Sequence, residues 1–499
     1  MVTKQDIIDY YAYLCEVEGH KLSRRQYREL NPEYSSTLIE DIFGSWSEFS
    51  NSAYNDNAPR RIESTKKFSK SASKIVISYV VDGQDVNEDV LAVLENYCKY
   101  NKAELGILWG KAVIRSEGFD KTTYNRIEKY LATRFEFEKD KKCIVQDFLI
   151  SCSQKNPLLN IDKLSTNLNT IIVGSTKQYL KILPYKQYNP YRLGCSTGTI
   201  SAVDYKSTVA GYVDQKYHTY GAILLEYNDK QQRYVVRNLI YANGKICDLD
   251  KEYTNKSVNK IKQVPAMVLG DLHLPDEDAD FIKETQAQFK LLNPKDVMIH
   301  DLASWNSISH HDSDKYLTKC KNRTEDTETL EAEVNSVITR LNKFASGFKN
   351  IRFNVVNSNH DCFIEKWLNN GEFVKDTANA KIGAKLFLLY LEDKSIFSTL
   401  LPKNFRLLTK NSSFNVLGYE LSEHGDCGIA GAKGSVNSFN KGFEKIVIGH
   451  THSPEIREKT VVVGTLSKLK LNYNQKGLTT WCGANAVIHQ NGTFQLLFL

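Results

Sequence analysis

Apolar and polar positions change their period twice along these 499 residues. Through about residue 55 the period is helical. "TKQDIIDYYAYLCEVEG" stops at Gly19, Ser23 stands where "RRQYREL" needs a cap, and "SSTLIEDIF" runs into "GSWSEFSNSA". The pattern predicts three short helices, with Trp46 and Phe49 anchoring a small core. "KIVISYVV", "NEDVLAVLENYCKYN" and "AELGILWG" then read as strand, helix and strand, a right-handed βαβ unit. From 143 to 263 short apolar runs such as "NTIIVGS", "YGAILLEYN" and "QRYVVRNLIY" alternate with turn-like breaks, which predicts a β-rich segment. Beyond Val264 buried runs alternate with helical stretches such as "DEDADFIKETQAQFKLL", the pattern of an α/β layer structure.

The divisions that follow are a helical module at 1–56, a linker at 57–74, an α/β segment at 75–142, a β-rich segment at 143–263 and a C-terminal domain at 264–499. The linker "NAPRRIESTKKFSKSASK" holds six Lys or Arg against one Glu, which suits a solvated tether or contact with phosphate. "LPYKQYNPYRLG" mixes Tyr with Lys and Arg, so it reads either as a base-stacking strip or as an ordinary domain interface.

Composition changes this picture little. The net charge of +6 permits a nucleic-acid partner without arguing for one. No apolar run is long enough for a bilayer, and the charged N-terminus does not read as a signal peptide, so no membrane partner is expected. Ten cysteines without a CxxC pair read as reduced thiols of a cytoplasmic protein, not as a disulfide frame or zinc ribbon.

The chemistry lies at the ends of the C-terminal apolar runs. "VPAMVLGDLH" ends in Asp271 and His273, "DVMIHD" in Asp301, and "IRFNVVNSNHD" in Asn359, His360 and Asp361. "FNVLGYELSEHGD" ends in His424, and "FEKIVIGHTH" in His450 and His452. Open α/β sheets place their sites at the carboxyl ends of strands, so the five ends are expected to converge. Imidazoles and carboxylates without thiolate suit Mn, Fe or Zn.

The order D-x-H, Asp, N-H-D, His, G-H-x-H resembles the calcineurin-like metallophosphoesterase superfamily, in its nuclease-type branch, over about residues 264–499. The resemblance implies a four-layer α/β/β/α sandwich holding two divalent ions, Mn²⁺ foremost, with Fe or Zn as other fits. It implies that Asp271, His273 and His452 hold one ion, that Asp301 bridges, and that Asn359, His424 and His450 hold the second. A hydroxide between ions about 3.5–4 Å apart would attack phosphorus. His360 would stabilise the transition state and protonate the leaving oxygen, with Asp361 orienting its ring. The family usually has Gly before the bridging Asp and before the Asn-His, where this chain has His300 and Ser358. His300 is expected to pack beneath the site. His310 and His311 read as accessory residues or as a solvent-exposed pair. Lys433, in the Gly-rich "EHGDCGIAGAKGS", reads as a phosphate contact or as part of tight turns.

The "FGSW" helix resembles the short helical repeat found beside homing endonucleases, a DNA-binding module. The whole layout also resembles large bacteriophage-encoded metallophosphoesterases, among them pre-early host-DNA degradation proteins of T5-type phages. These resemblances imply a DNA substrate, a host-cytoplasm location and a homo-oligomer. The expectation is therefore a Mn-dependent deoxyribonuclease. A phosphomonoesterase or small-molecule or protein phosphatase with the same cage is the alternative, and a DNA-binding regulator without catalysis is a third.

Overall fold

A computed structural model describes residues 3–18, 20–53, 61–111, 119–151, 154–164, 167–186, 189–308, 329–409, 411–471 and 476–499, with 317, 320 and 474 besides. The chain is mixed α/β, with three large sheets. Among the described residues no helix is long and apolar enough to cross a membrane.

The N-terminal region forms four helices, Lys4–Glu18, Arg24–Glu29, Ser36–Phe43 and Trp46–Ala53, one more than the periodicity predicts. Ser23 caps the second in a capping box with Gln26, as its position suggested. Ile7, Tyr11, Tyr27, Ile39 and Phe49 form a separate small core with Trp46 packed against it. The extra helix begins at Trp46, directly after Gly44 and Ser45, where a positive φ at Gly44 turns the chain.

The linker is not wholly a tether, because Thr65–Lys67 is an edge strand paired with Arg134–Glu136. The βαβ unit forms as expected: Lys74–Val81 and Glu104–Gly110 run parallel, with the helix Glu88–Asn101 between them. Segments 75–142 and 143–263 share both an eight-stranded and an eleven-stranded sheet. Lys74–Val81 also pairs with Gly221–Asn228, and Leu180–Leu183 pairs with Glu455–Arg457 of the C-terminal segment.

The C-terminal segment supplies the six-stranded sheet, in the order Phe405–Leu408, Arg352–Val356, Asp296–Ile299, Ala266–Val268, Ala484–Ile488, Phe494–Phe498. The first four strands are mutually parallel, and each of the last two pairs antiparallel with the strand before it in that order. Met267, Val297, Ile299, Phe353 and Val355 of one face share a core with Phe289, Val334, Val337 and Leu341 from the helices Ala279–Leu292 and Leu330–Ala345. Those helical positions recur at intervals of three and four, so one stripe of each helix is buried. Ala266, Val268, Met298 and Val356, on the opposite face, pack with Leu421, Val447 and Val461 of the eleven-stranded sheet. Beyond that sheet the short helix Val436–Gly442 rests Phe439 on Ile446, Ile448 and Val462. Side chains alternate across each strand, so Met267 and Val268 enter different cores. The parallel strands Ala266–Val268, Asp296–Ile299 and Arg352–Val356 therefore end on one edge, beside the end of Ile446–Ile448 from the facing sheet.

Candidate metal centre

Each polar residue singled out at the strand ends sits two to five positions beyond its strand, where the chain leaves the ladder. Pairing continues briefly past the strands, with Leu272 N–H donating to His300 O and His273 N–H to Asp301 O. This ties the first two ligand segments together. The backbone then turns sharply: His273, Asp301, His450 and His452 have φ of 49°, 41°, 73° and 57°. Non-glycine residues adopt this left-handed region at a cost, and such strain clusters at functional sites. Four residues of the predicted ligand set share it.

The side chains converge. Asp271, His273, Asp301 and His452 form one buried group able to hold a cation, Asp301, His424 and the half-buried His450 form a second, and Asp271, His300 and His424 form a third. Asp301 belongs to the first two: its Oδ2 lies 3.4 Å from His273 Nε2 and 3.3 Å from His424 Nε2. Asn359 Oδ1 lies 3.1 Å from both His424 Nε2 and His450 Nδ1. His452 Nε2 is 3.1 Å from Asp271 Oδ2 and 2.9 Å from His273 Nε2.

Two observations fit this set to a cation. Asp271 Oδ1 and Asp301 Oδ1 are buried with no described hydrogen-bond partner, an arrangement too costly for carboxylates unless a positive charge faces them. The two imidazole nitrogens 2.9 Å apart on His273 and His452 share at most one proton when both rings are neutral, so at least one lone pair is turned inward. Burial also pushes His273 down to about 3, which keeps it neutral and ready as a ligand. Burial opposes charge on His424 too, but the Asp301 carboxylate outweighs it and raises that ring to about 9. A cation taken up at His424 would therefore displace a proton. Asn359, His360 and His450 are half-buried and the other ligand-set residues buried, so these three line the accessible side.

His360 stands against the set, its ring 4.8 Å from that of His273 and 4.8 Å from that of Phe363. Its Nδ1 is buried without a described partner. Asp361 does not orient it. That carboxylate accepts from Ser358 Oγ at 2.8 Å and Trp305 Nε1 at 3.3 Å, and the Leu302 N–H lies 3.5 Å away. Its placement follows from the turn at 358–361, where Ser358 Oγ also accepts the Asp361 N–H. Asp361 thus fastens the loop after Asp301 to the loop carrying Asn359.

His300 is buried with its Nδ1 3.3 Å from His424 Nδ1, and it belongs with Asp271 and His424 to a group able to hold a cation, so it is not merely packed beneath the set. Lys433 is exposed, and its loop is built of tight turns: Cys427 pairs with Lys433, and a Cβ on Gly434 would fall 1.9 Å from Gly425 O. His310 and His311 lie outside the described residues. Two tyrosines of the Tyr-rich strip pack inward: Tyr185 is buried with its hydroxyl donating to Trp481 O, and the half-buried Tyr191 stacks on Phe498 beneath the Arg233 guanidinium, while Lys186 and Asn189 are exposed and Tyr188 lies outside the described residues.

Sequence reasoning passed over Gly449 and Trp481. A Cβ at Gly449 would lie 2.2 Å from Asp271 Oδ1, so only glycine lets the G-H-x-H turn approach that carboxylate. Its place directly before His450 was the available signal. Trp481 packs edge-on to His452 with centroids 4.1 Å apart, and no local motif marks it.

No family model matches the chain. No solved structure matches it either. Among curated proteins it is similar to Protein A1 of Escherichia phage T5, 24% identical over 462 residues that span 86% of this chain and 82% of the phage protein. The likeness to this phage protein therefore runs through most of the chain.

Proposed function

We propose that the chain is a metal-dependent phosphodiesterase acting on DNA, with its C-terminal segment a four-layer α/β/β/α sandwich of the calcineurin-like metallophosphoesterase type. The observation that carries the reading is Asp301 shared between two His-containing groups, with Asn359 closing the second. Asp271, His273, Asp301 and His452 would hold one divalent ion, and Asp301, Asn359, His424 and His450 the other. Such ions supply Lewis acidity toward a phosphoryl oxygen and acidify water for attack; Mn²⁺ suits this nitrogen–oxygen donor set.

The chain's own residues do the rest. His360 stands at the accessible side, and burial holds its imidazole below the ordinary value, so near neutral pH it is a neutral ring with one N–H. That N–H can donate a hydrogen bond to the leaving oxygen of a scissile phosphodiester as charge develops there, without giving up its proton. Asp361, through Trp305 and Ser358, fixes the two loops that present Asp301 and Asn359. Nothing in the set reads a base, so weak sequence preference is expected. The choice of DNA draws on the resemblances in the sequence and the separate helical module at the N-terminus, and the charge of +6 is compatible with it. On this reading the protein works in the cytoplasm of a phage-infected host, as a homo-oligomer.

The test is incubation of the purified chain with end-labelled linear and closed circular DNA, in Mn²⁺, in Mg²⁺ and in chelator. Mn-dependent cutting that disappears in His360→Ala supports the reading, and cutting of the circle assigns endonuclease action. A metal-loaded protein that leaves both DNAs intact but hydrolyses a phosphomonoester would replace DNA with a monoester substrate.

A further inference from the structure

The geometry points to His300 as a positioning residue that accepts the His424 Nδ1 proton and so commits His424 Nε2 to metal; this rests on the metal-centre reading above. His300 directly precedes Asp301, at a position where the resemblance leads one to expect glycine. Both rings are buried, His300 at 0% and His424 at 2% exposure, so water cannot substitute for either as a hydrogen-bond partner. Their Nδ1 atoms are 3.3 Å apart, so with no cation between them one donates and the other accepts; with Asp271 the two rings also form a group able to hold a cation, the rival that the test below separates.

The direction follows from the far side of His424. Its Nε2 faces Asp301 Oδ2 at 3.3 Å and Asn359 Oδ1 at 3.1 Å, inside the ligand set. A neutral imidazole that offers Nε2 to a cation must carry its hydrogen on Nδ1. His424 Nδ1 is then the donor and His300 Nδ1 the acceptor, which leaves the His300 hydrogen on Nε2. That atom is buried with no described partner. A neutral His300 donating from Nδ1 would instead drive the His424 hydrogen onto Nε2, against the metal.

Room for this ring comes from Gly449, where a Cβ would stand 3.1 Å from His300 Cγ. Close packing on that side holds the acceptor in place instead of letting the ring swing away.

Substitution separates the acceptor from mere bulk. In His300→Asn, Oδ1 sits the same number of bonds from the backbone as Nδ1 and can accept. In His300→Gln the amide is polar but one bond too far, and His300→Leu has no acceptor. The full-length variants, stripped with chelator, are titrated with Mn²⁺ while free Mn²⁺ is followed by electron paramagnetic resonance. His300→Asn is expected to bind within about threefold of the unaltered chain, and Gln and Leu about 10–100-fold more weakly, the usual range for outer-shell partners. Gln carries the comparison if Leu does not fold. Equal weakening in Asn and Gln would overturn the inference in favour of packing, and unaltered affinity in Gln or Leu would overturn it outright. Loss of one ion per chain in all variants would make His300 a ligand instead. An unaltered chain that takes up no Mn²⁺ would remove the metal-centre reading itself. Binding without DNA cutting would remove only the DNA part of the reading.

Discussion

Glu333 offers a stability test that does not involve metal. It lies on the helix Leu330–Ala345 at 0% exposure, and its carboxylate accepts from Asn306 N–H at 2.7 Å, Ser307 N–H at 3.0 Å and Ser307 Oγ at 2.6 Å. It thereby clamps the loop leaving Asp301, whose Ser304 and Asn306 side chains donate to Asp276. Burial pushes the carboxyl up from 4.5 to about 7, the three hydrogen bonds recovering only part of the desolvation cost. Below pH 4.5 folded and unfolded chains are both protonated there, and the group adds no pH dependence. Between 4.5 and about 7 the unfolded chain gives up its proton while the folded chain keeps it, so stability falls as pH rises. Above 7 the loss is complete, about 3 kcal/mol at roughly 1.4 kcal/mol per pH unit. Glu333→Gln removes this dependence but turns an amide N–H toward the Ser307 N–H, a loss of about 1–3 kcal/mol at every pH. Urea unfolding in chelator at pH 4.5 and pH 8 should therefore find the variant less stable at the lower pH. The difference should shift in the variant's favour by about 3 kcal/mol at the higher pH. A difference between the two proteins that stays the same at both pH values would refute the buried, proton-holding clamp.

Three further outcomes follow. His360→Ala should lower DNA turnover by about 10²–10⁴-fold while leaving unfolding free energy within about 1 kcal/mol, because the ring is half-buried and its Nδ1 has no described partner to lose. Asp361→Ala should register in stability: it strands the Trp305 and Ser358 donors, both buried, and costs roughly 2–4 kcal/mol in a chemical melt. Gly449→Ala should weaken Mn²⁺ binding at least about tenfold in a metal titration, since its Cβ meets Asp271 Oδ1 at 2.2 Å and that carboxylate must move.

What the sequence disclosed and what it hid divide along a physical line. A strand that buries both faces and ends in a polar tip leaves a local signature, so the convergence of Asp271, Asp301, Asn359, His424, His450 and His452 was readable in advance. Ser23 was readable as a cap for the same reason, because a cap acts within one turn. Pairings between distant segments left no such mark: nothing near Leu180–Leu183 announces Glu455–Arg457 as its neighbour. The edge strand Thr65–Lys67 was hidden by its composition, since an exposed strand can be as basic as a tether. The Tyr-rich strip was ambiguous because tyrosine serves both stacking and interfaces, and Tyr191, packed on Phe498, takes the interface role. Asp361 was assigned to its sequence neighbour His360, whereas the turn at 358–361 sends it to Trp305 from another loop. Adjacency in sequence was a poor guide there because consecutive residues of a tight turn point in different directions.

The most direct measurement is the number of Mn²⁺ ions retained per chain after reconstitution and desalting, for the unaltered protein and for Asp301→Asn. With Asp301 shared by the first two groups, the unaltered chain is predicted to hold two ions and Asp301→Asn one or fewer. No ion in the unaltered chain, or two ions in both proteins, would contradict the account.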